Sequence, residues 1–225
     1  MMLLLALAAC VGPDAEDIED RHDQTVVQME RHDAEAIRMR TAVIDGDVAK
    51  LRQTAAELAA RLPIAGVGDR LDWHQARLKT VAGRLAGTTT IELAASDVAE
   101  LAVECGSCHA EVGILPPPSS EMPNGEQWES AMARHAWAAD EMWTGLVWKS
   151  DPRFRHAVEV WNATPLAQPH TADEKRFTPE VLALEDRVHD LAEQAAAKME
   201  PSQRAKLYGE MLATCSACHA LVRRH

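Results

Sequence analysis

Apolar residues recur in steps of three and four almost from Asp14 onward, the period of helices that bury one face, and no βαβ pattern interrupts them. A first helix carries Met29, His32, Ala36, Met39 and Val43 on one stripe and breaks at Gly46-Asp47, where Asp47 suits the N-cap of the next. The second carries Val48, Leu51, Ala55, Leu58 and Leu62 and stops at Pro63, which cannot continue it. From about Arg70 a third carries Leu71, His74, Leu78, Val81 and Leu85, and Gly87 with the threonines after it makes a turn. A fourth has Ala94, Val98, Leu101 and Cys105 on its inner face. Amphipathic helices with such short connections predict an antiparallel four-helix bundle over residues 14–113.

The composition then changes to a Pro-rich linker, residues 114–125, with Pro116, Pro117, Pro118 and Pro123. The second half of the chain repeats the first. Met29, Arg31, His32, Met39 and Thr41 recur as Met132, Arg134, His135, Met142 and Thr144, all 103 positions later. A break at Ser150-Asp151-Pro152, a helix through Val158 and Trp161, another through Val181 to Leu191, and a last helix opened by Pro201 complete the repeat over 126–225. The expected fold is all-α, two tandem four-helix bundles from one duplicated unit.

The fourth helix of each unit ends in a Cys-x-x-Cys-His sequence, Cys105-Gly106-Ser107-Cys108-His109 and Cys215-Ser216-Ala217-Cys218-His219. That is the attachment sequence of a c-type haem. At i, i+3 and i+4 the two sulfurs and the imidazole share one helix face. The sulfurs can add to the vinyl groups of one flat macrocycle while the imidazole ligates its iron. Zinc hairpins, redox dithiols and structural disulfides use the same cysteine pair. The second copy, the histidine in both, and the lack of a βαβ unit set haem c ahead of them. Two covalent haem c groups are therefore expected, on Cys105, Cys108, Cys215 and Cys218, with His109 and His219 as proximal iron ligands.

The formal charge of −12 argues against a nucleic-acid partner, which needs a basic surface, and suits steering toward a basic redox partner. With two Phe and one Tyr the core is short of aromatic bulk that a buried porphyrin would supply. Residues 1–10 read as an export signal, and Leu7-Ala8-Ala9-Cys10 resembles a bacterial lipobox, with Cys10 lipidated and the chain held at a membrane from the periplasmic side. No later stretch is long and apolar enough to span a bilayer.

A four-helix unit with its attachment motif near the end of the last helix resembles the class II cytochromes c, cytochrome c-prime and its six-coordinate relatives. The likeness covers each half separately, from about His22 to Val112 and from about Gly125 to Val222. It implies that the first helix lines the distal side of the haem, with the sixth position filled by methionine or left open, and it adds a second copy of the chain as a partner. This sequence offers a histidine as well. The distal candidates are His32 or Met29 in the first unit and His135 or Met132 in the second. The mid-helix position of the histidines puts bis-histidine ligation first, histidine–methionine next, and an open iron third. His74 and His189 read as propionate contacts or satisfied polar residues, and Arg31 and Arg134 as propionate partners or surface charges. The expected function is single-electron transfer between periplasmic or membrane-associated proteins, not catalysis. A gas-binding c-prime-like protein is the alternative, and a peroxidase would need acid–base groups that the sequence does not supply.

Overall fold

The computed structural model describes residues 15–64, 68–125, 128–166, 177–197 and 199–223, and the side chains of these except 15–23 and 128. Among them are eight α-helices, one short 3-10 turn and no strand. The helices are α1 (Ala15–Asp45), α2 (Val48–Arg61), α3 (Asp72–Gly87), α4 (Ile91–Val112), α5 (Trp128–Val147), α6 (Asp151–Asn162), α7 (Pro179–Ala196) and α8 (Pro201–Val222). Residues 1–10, with Cys10, and His170 lie outside the described residues. No helix among those described is long and apolar enough to cross a membrane.

Local chemistry sets the boundaries. Asp47 accepts from the Lys50 amide at 2.9 Å to start α2. Thr90 accepts from Leu93 at 3.3 Å to start α4, and Thr178 from Val181 at 3.4 Å to start α7. Gly113, at φ +74°, closes α4 in the left-handed conformation. The ends of α1 and α5 are alike. The Gly46 and Asp47 amides return to Val43 and Ala42 at 3.0 and 2.8 Å, and those of Lys149 and Ser150 return to Leu146 and Gly145 at 3.3 and 2.9 Å. These are paired Schellman bonds. Both central residues are left-handed, Gly46 at φ +72° and Lys149 at φ +47°, and they stand 103 positions apart.

Each helix of a half packs on its successor, and α1 and α5 also touch α4 and α8, which closes each ring of four. Met39, Val43, Leu51, Leu58, Leu78, Leu85, Val98 and Leu101 fill the first interior. Met142, Leu146, Phe154, Val158, Leu191 and Met211 fill the second. All five predicted stripe positions of the third helix, including His74, are buried. The halves meet along α4 and α8, flanked by α1 on α8 and α5 on α4.

Small residues make that seam. Ala94, Ala95, Ala99 and Ala102 of α4 are fully buried, and a Cβ added at Gly209 of α8 would lie 3.0 Å from the Ala95 carbonyl and 3.1 Å from the Ser96 Cα. Beside it Arg40 of α1, buried, pairs with Asp140 and stands 5.7 Å over the Trp143 ring of α5. Arg40 and Trp143 are themselves 103 positions apart, so equivalent sites of the repeat face each other with different side chains. The Tyr208 hydroxyl donates to the Ala139 carbonyl at 3.0 Å in the same seam.

The C-terminal end of α1 meets that of α8, at Gly46 and Ser216, and the end of α5 meets that of α4, at Lys149 and Gly106. Since α1 runs antiparallel to α4, the two fourth helices run antiparallel too. His109 and His219 lie on opposite sides of the Ala95–Gly209 contact, separated by roughly 36 Å at 1.5 Å per residue.

Residues 114–125 have no regular structure but are tied down. Ser119 donates to Glu141 at 2.9 Å, the Trp137 indole to the Ser120 carbonyl at 3.1 Å, and Arg153 to the Pro117 carbonyl at 2.7 Å. Burial works against the Glu141 charge, yet the hydrogen bonds from Arg153 and Ser119 outweigh it and hold its carboxyl below the usual range.

The seam leads to a stability test. Gly209→Val should force α4 and α8 apart and cost about 1–3 kcal/mol, more than the gain in helix propensity. Urea unfolding followed by far-ultraviolet circular dichroism checks this, and an unchanged midpoint would remove the seam from its central role.

Candidate functional site

The last turns of α4 and α8 carry the two Cys-x-x-Cys-His motifs, with Cys108 buried and Cys105, Cys215, Cys218, His109 and His219 half-buried. The Nδ1 of His109 lies 3.1 Å from the carbonyl oxygen of Val147, at the end of α5 in the other half. A carbonyl only accepts, so Nδ1 carries the proton and Nε2 keeps a free lone pair. His219 is hydrogen-bonded to the backbone of Ile44 at the end of α1. Ile44 and Val147 are again 103 apart. Each motif imidazole is thus seated by the negative end of a helix in the opposite half, an outer contact of the kind that orients a metal-ligating histidine.

The fit is tight. A Cβ at Gly106 would run into the Leu146 carbonyl oxygen, so only glycine sits there without a shift of backbone. In the mirror contact the glycine is on the other partner, Gly46, where an added Cβ would lie 3.3 Å from the Ser216 hydroxyl.

The residue after each accepting carbonyl differs. Trp148 lays its ring 4.3 Å from that of His109, tilted by 32°. At the equivalent position beside His219 stands Asp45. Arg223, one turn beyond His219, donates to the Asp45 main-chain oxygen at 2.8 Å and stands 3.6 Å from its carboxylate.

In the second half a cavity of about 260 Å³ opens beside the motif. Cys215, Cys218 and His219 of α8 form one wall, and Met132 and His135 of α5, with Trp161, form another; Ile44 of the first half also reaches it. The rest is mainly Val181, Leu184, Val188 and Phe177. His135 is buried, its Nε2 2.5 Å from the Thr164 carbonyl, its ring 4.7 Å from Trp161 and 5.8 Å edge-on to His189. The Trp161 indole nitrogen and the His189 Nε2 are buried without a partner. Two thiols and an imidazole on one wall, an apolar interior, a thioether and a second imidazole across it, and unused polar atoms nearby fit a flat apolar macrocycle with polar substituents.

The first half differs. His32 lines a cleft of about 340 Å³ with Gln28, Arg31 and Arg61, and Arg61 pairs with the buried Glu35. Met29 is half-buried against the core. The charge of Asp33, next to His32, reaches both His109 and Cys105, and that of Glu104 reaches Cys105 as well. The Nε2 of His74 hydrogen-bonds Glu111 at 2.8 Å, while its Nδ1 is buried without a partner. Arg134 donates to the Gly125 carbonyl at 2.5 Å, and His156 is exposed 3.8 Å from Glu159. Sequence reasoning did not find Ile44, Asp45, Val147, Trp148 or the Thr164 carbonyl; the repeated helix end at Gly46 and Lys149 was the available signal for the first four.

Burial, with the neighbouring cysteine, pushes the thiols of Cys105 and Cys215 up to about 12, and burial raises those of Cys108 and Cys218. They are protonated at neutral pH, the reverse of what a dithiol exchange centre needs. Burial also lowers His32, His109, His135 and His219, so all four are neutral imidazoles near pH 7. The motifs lie at opposite ends of the seam, and among the described residues no three Cys, His, Asp or Glu side chains converge on one metal position. Comparison with protein-family models, characterised proteins and solved structures finds no match to this chain.

One pH dependence arises from His135, which burial takes from 6.5 down to about 4. The unfolded chain binds that proton first, so stability is complete above about pH 6.5 and falls as pH drops toward about 4, by at most about 3 kcal/mol. Urea titrations across that range should show this slope, and His135→Gln should flatten it.

Proposed function

We propose that the chain is a dihaem c-type cytochrome of two tandem four-helix bundles, exported and carrying single electrons between redox partner proteins. The observation that carries this reading is the apolar cavity of the second half, walled by Cys215, Cys218 and His219 and faced by Met132 and His135. Bound haem would supply an iron that takes up and returns one electron. The residues do the rest. Cys105 and Cys108, and Cys215 and Cys218, would hold the macrocycle by thioether bonds. His109 would present Nε2 to the metal, because the Val147 carbonyl holds Nδ1, and His219 would ligate from the matching place beside the Ile44 backbone. The apolar wall of Val181, Leu184 and Val188 would keep water from the macrocycle's face.

On the distal side the geometry favours Met132 over His135 in the second half. The Nε2 of His135 is engaged by Thr164 at 2.5 Å, while Met132 lines the cavity. That engagement also supports a second reading, an open iron that binds a small gas, should Met132 stand off. In the first half His32 and Met29 remain the ligands proposed. Lipidation of Cys10 would tether the protein to a membrane, and the net charge of −12 suits a basic partner surface and no nucleic acid.

The test is optical. The purified protein should carry two covalent haems that survive denaturing electrophoresis, and reduced spectra should be low-spin and unchanged by carbon monoxide. Met132→Ala should convert one haem to a carbon monoxide-binding form, and His135→Ala should not. A wild-type protein that binds the gas rapidly would favour the second reading, and one without covalent haem would reject both.

A further inference from the structure

Each motif histidine is seated by the opposite half, and the seat contains one position that the duplication has made different. Main-chain atoms of a helix end in the other half meet both rings, the Val147 carbonyl 3.1 Å from His109 Nδ1 and the Ile44 backbone beside His219. The next residue is Trp148 in one seat and Asp45 in the other. Trp148 covers the His109 ring at 4.3 Å. Asp45 brings a carboxylate beside His219 as half of an ion pair with Arg223, whose guanidinium donates to the Asp45 main-chain oxygen at 2.8 Å and stands 3.6 Å from the carboxylate. His219 therefore feels both charges, and removal of the Asp45 carboxylate would leave the Arg223 charge unbalanced.

Resting on the haem reading of the two motifs, we propose that Trp148 and Asp45 are tuning positions that act across the halves: Trp148, in the second, sets the potential of the iron on His109, and Asp45, in the first, that of the iron on His219.

The chemistry of an axial imidazole supports this. A negative charge or a stronger acceptor on its outer side increases donation to the metal and favours the ferric state, while exclusion of water favours the less charged ferrous state. The aromatic cover of Trp148 is of the second kind and the Asp45 carboxylate of the first. The first site has its own carboxylate, Asp33, but that acts from within the same half and from α1. A carboxylate placed at 148 would act from α5, in the other half. Because the seats belong to α5 and α1, a change in either should be read out at the haem of the other half: Asp45 precedes Cys215 by 170 positions, whereas its own half's motif starts at Cys105.

The experiment is a redox titration of the full chain, followed by optical and electron paramagnetic resonance spectra, for wild type, Asp45→Asn and Trp148→Asp. Asp45→Asn should raise the midpoint of the haem on Cys215 and Cys218 and leave the other in place. Trp148→Asp should lower the midpoint of the haem on Cys105 and Cys108 alone. Assignment comes from repeating the titrations in the Cys105→Ala/Cys108→Ala and Cys215→Ala/Cys218→Ala backgrounds. Should those fold poorly, nuclear magnetic resonance of the axial imidazoles in the two-haem protein makes the same assignment, and Trp148→Phe, which keeps an aromatic cover, should hold the wild-type midpoint. Shifts confined to the haem of the substituted residue's own half, or two normal haems with unmoved midpoints, would overturn the proposal and leave the haem reading intact. A wild-type chain with no covalent haem would overturn both.

Discussion

The backbones of α4 and α8 approach so closely at Ala95 and Gly209 that a single added Cβ meets main-chain atoms at 3.0 Å. This contact needs small residues where α4 and α8 cross, and with the helix ends that meet at Gly46 and Ser216 and at Gly106 and Lys149 it sets the two fourth helices antiparallel. With that settled, the end of α1 must fall on the end of α8, and the end of α5 on the end of α4. The imidazole seats, the glycines that make room for them and the pairing of Arg40 with Asp140 all depend on that register. A wider or rotated crossing would leave His109 and His219 without their carbonyl partners.

Most of the helical framework was legible in the sequence. Asp47, Pro63, Gly113 and Pro201 act within a few residues, so their stops and starts can be read one segment at a time. The stripes were legible because burial on a helix has a period, and Leu71 through Leu85 show it fully. The repeat at offset 103 was legible as identities, and its strongest structural expression is a pair that is not identical, Gly46 and Lys149, both left-handed. What could not be read was anything joining distant positions. The bond from His109 to Val147 spans 38 residues and ends on a main-chain atom, which leaves no mark in side-chain pattern. The Pro-rich stretch reads as a spacer by composition, yet Ser119 and the carbonyls of Pro117 and Ser120 bind it to α5 and α6.

The candidate site was legible by halves. Cys105, Cys108 and His109, and their second copies, emerge from a helix period and stand on one face as that period requires. The distal side was not, because a stripe position says which way a residue faces and nothing about what holds it there. His32 and His135 occupy the same position of the repeat, but His135 is tied to Thr164 beside an apolar cavity and His32 stands by Arg31 and Arg61. The two halves share helix ends at Gly46 and Lys149 but differ in their surroundings, from a buried apolar wall in one half to a charged cleft in the other.

On the proposed electron-transfer reading, the antiparallel crossing would also govern traffic. With the motifs on opposite sides of the seam, a protein docked over one end leaves the other free, so filling and emptying need not take turns at a single doorway. Direct exchange between the two ends must cross the whole length of the seam, and each end is therefore expected to equilibrate with its own visitor faster than with its twin. If it carries the two haems proposed for it, the molecule would work as a two-terminal store whose terminals are electrically remote yet mechanically joined.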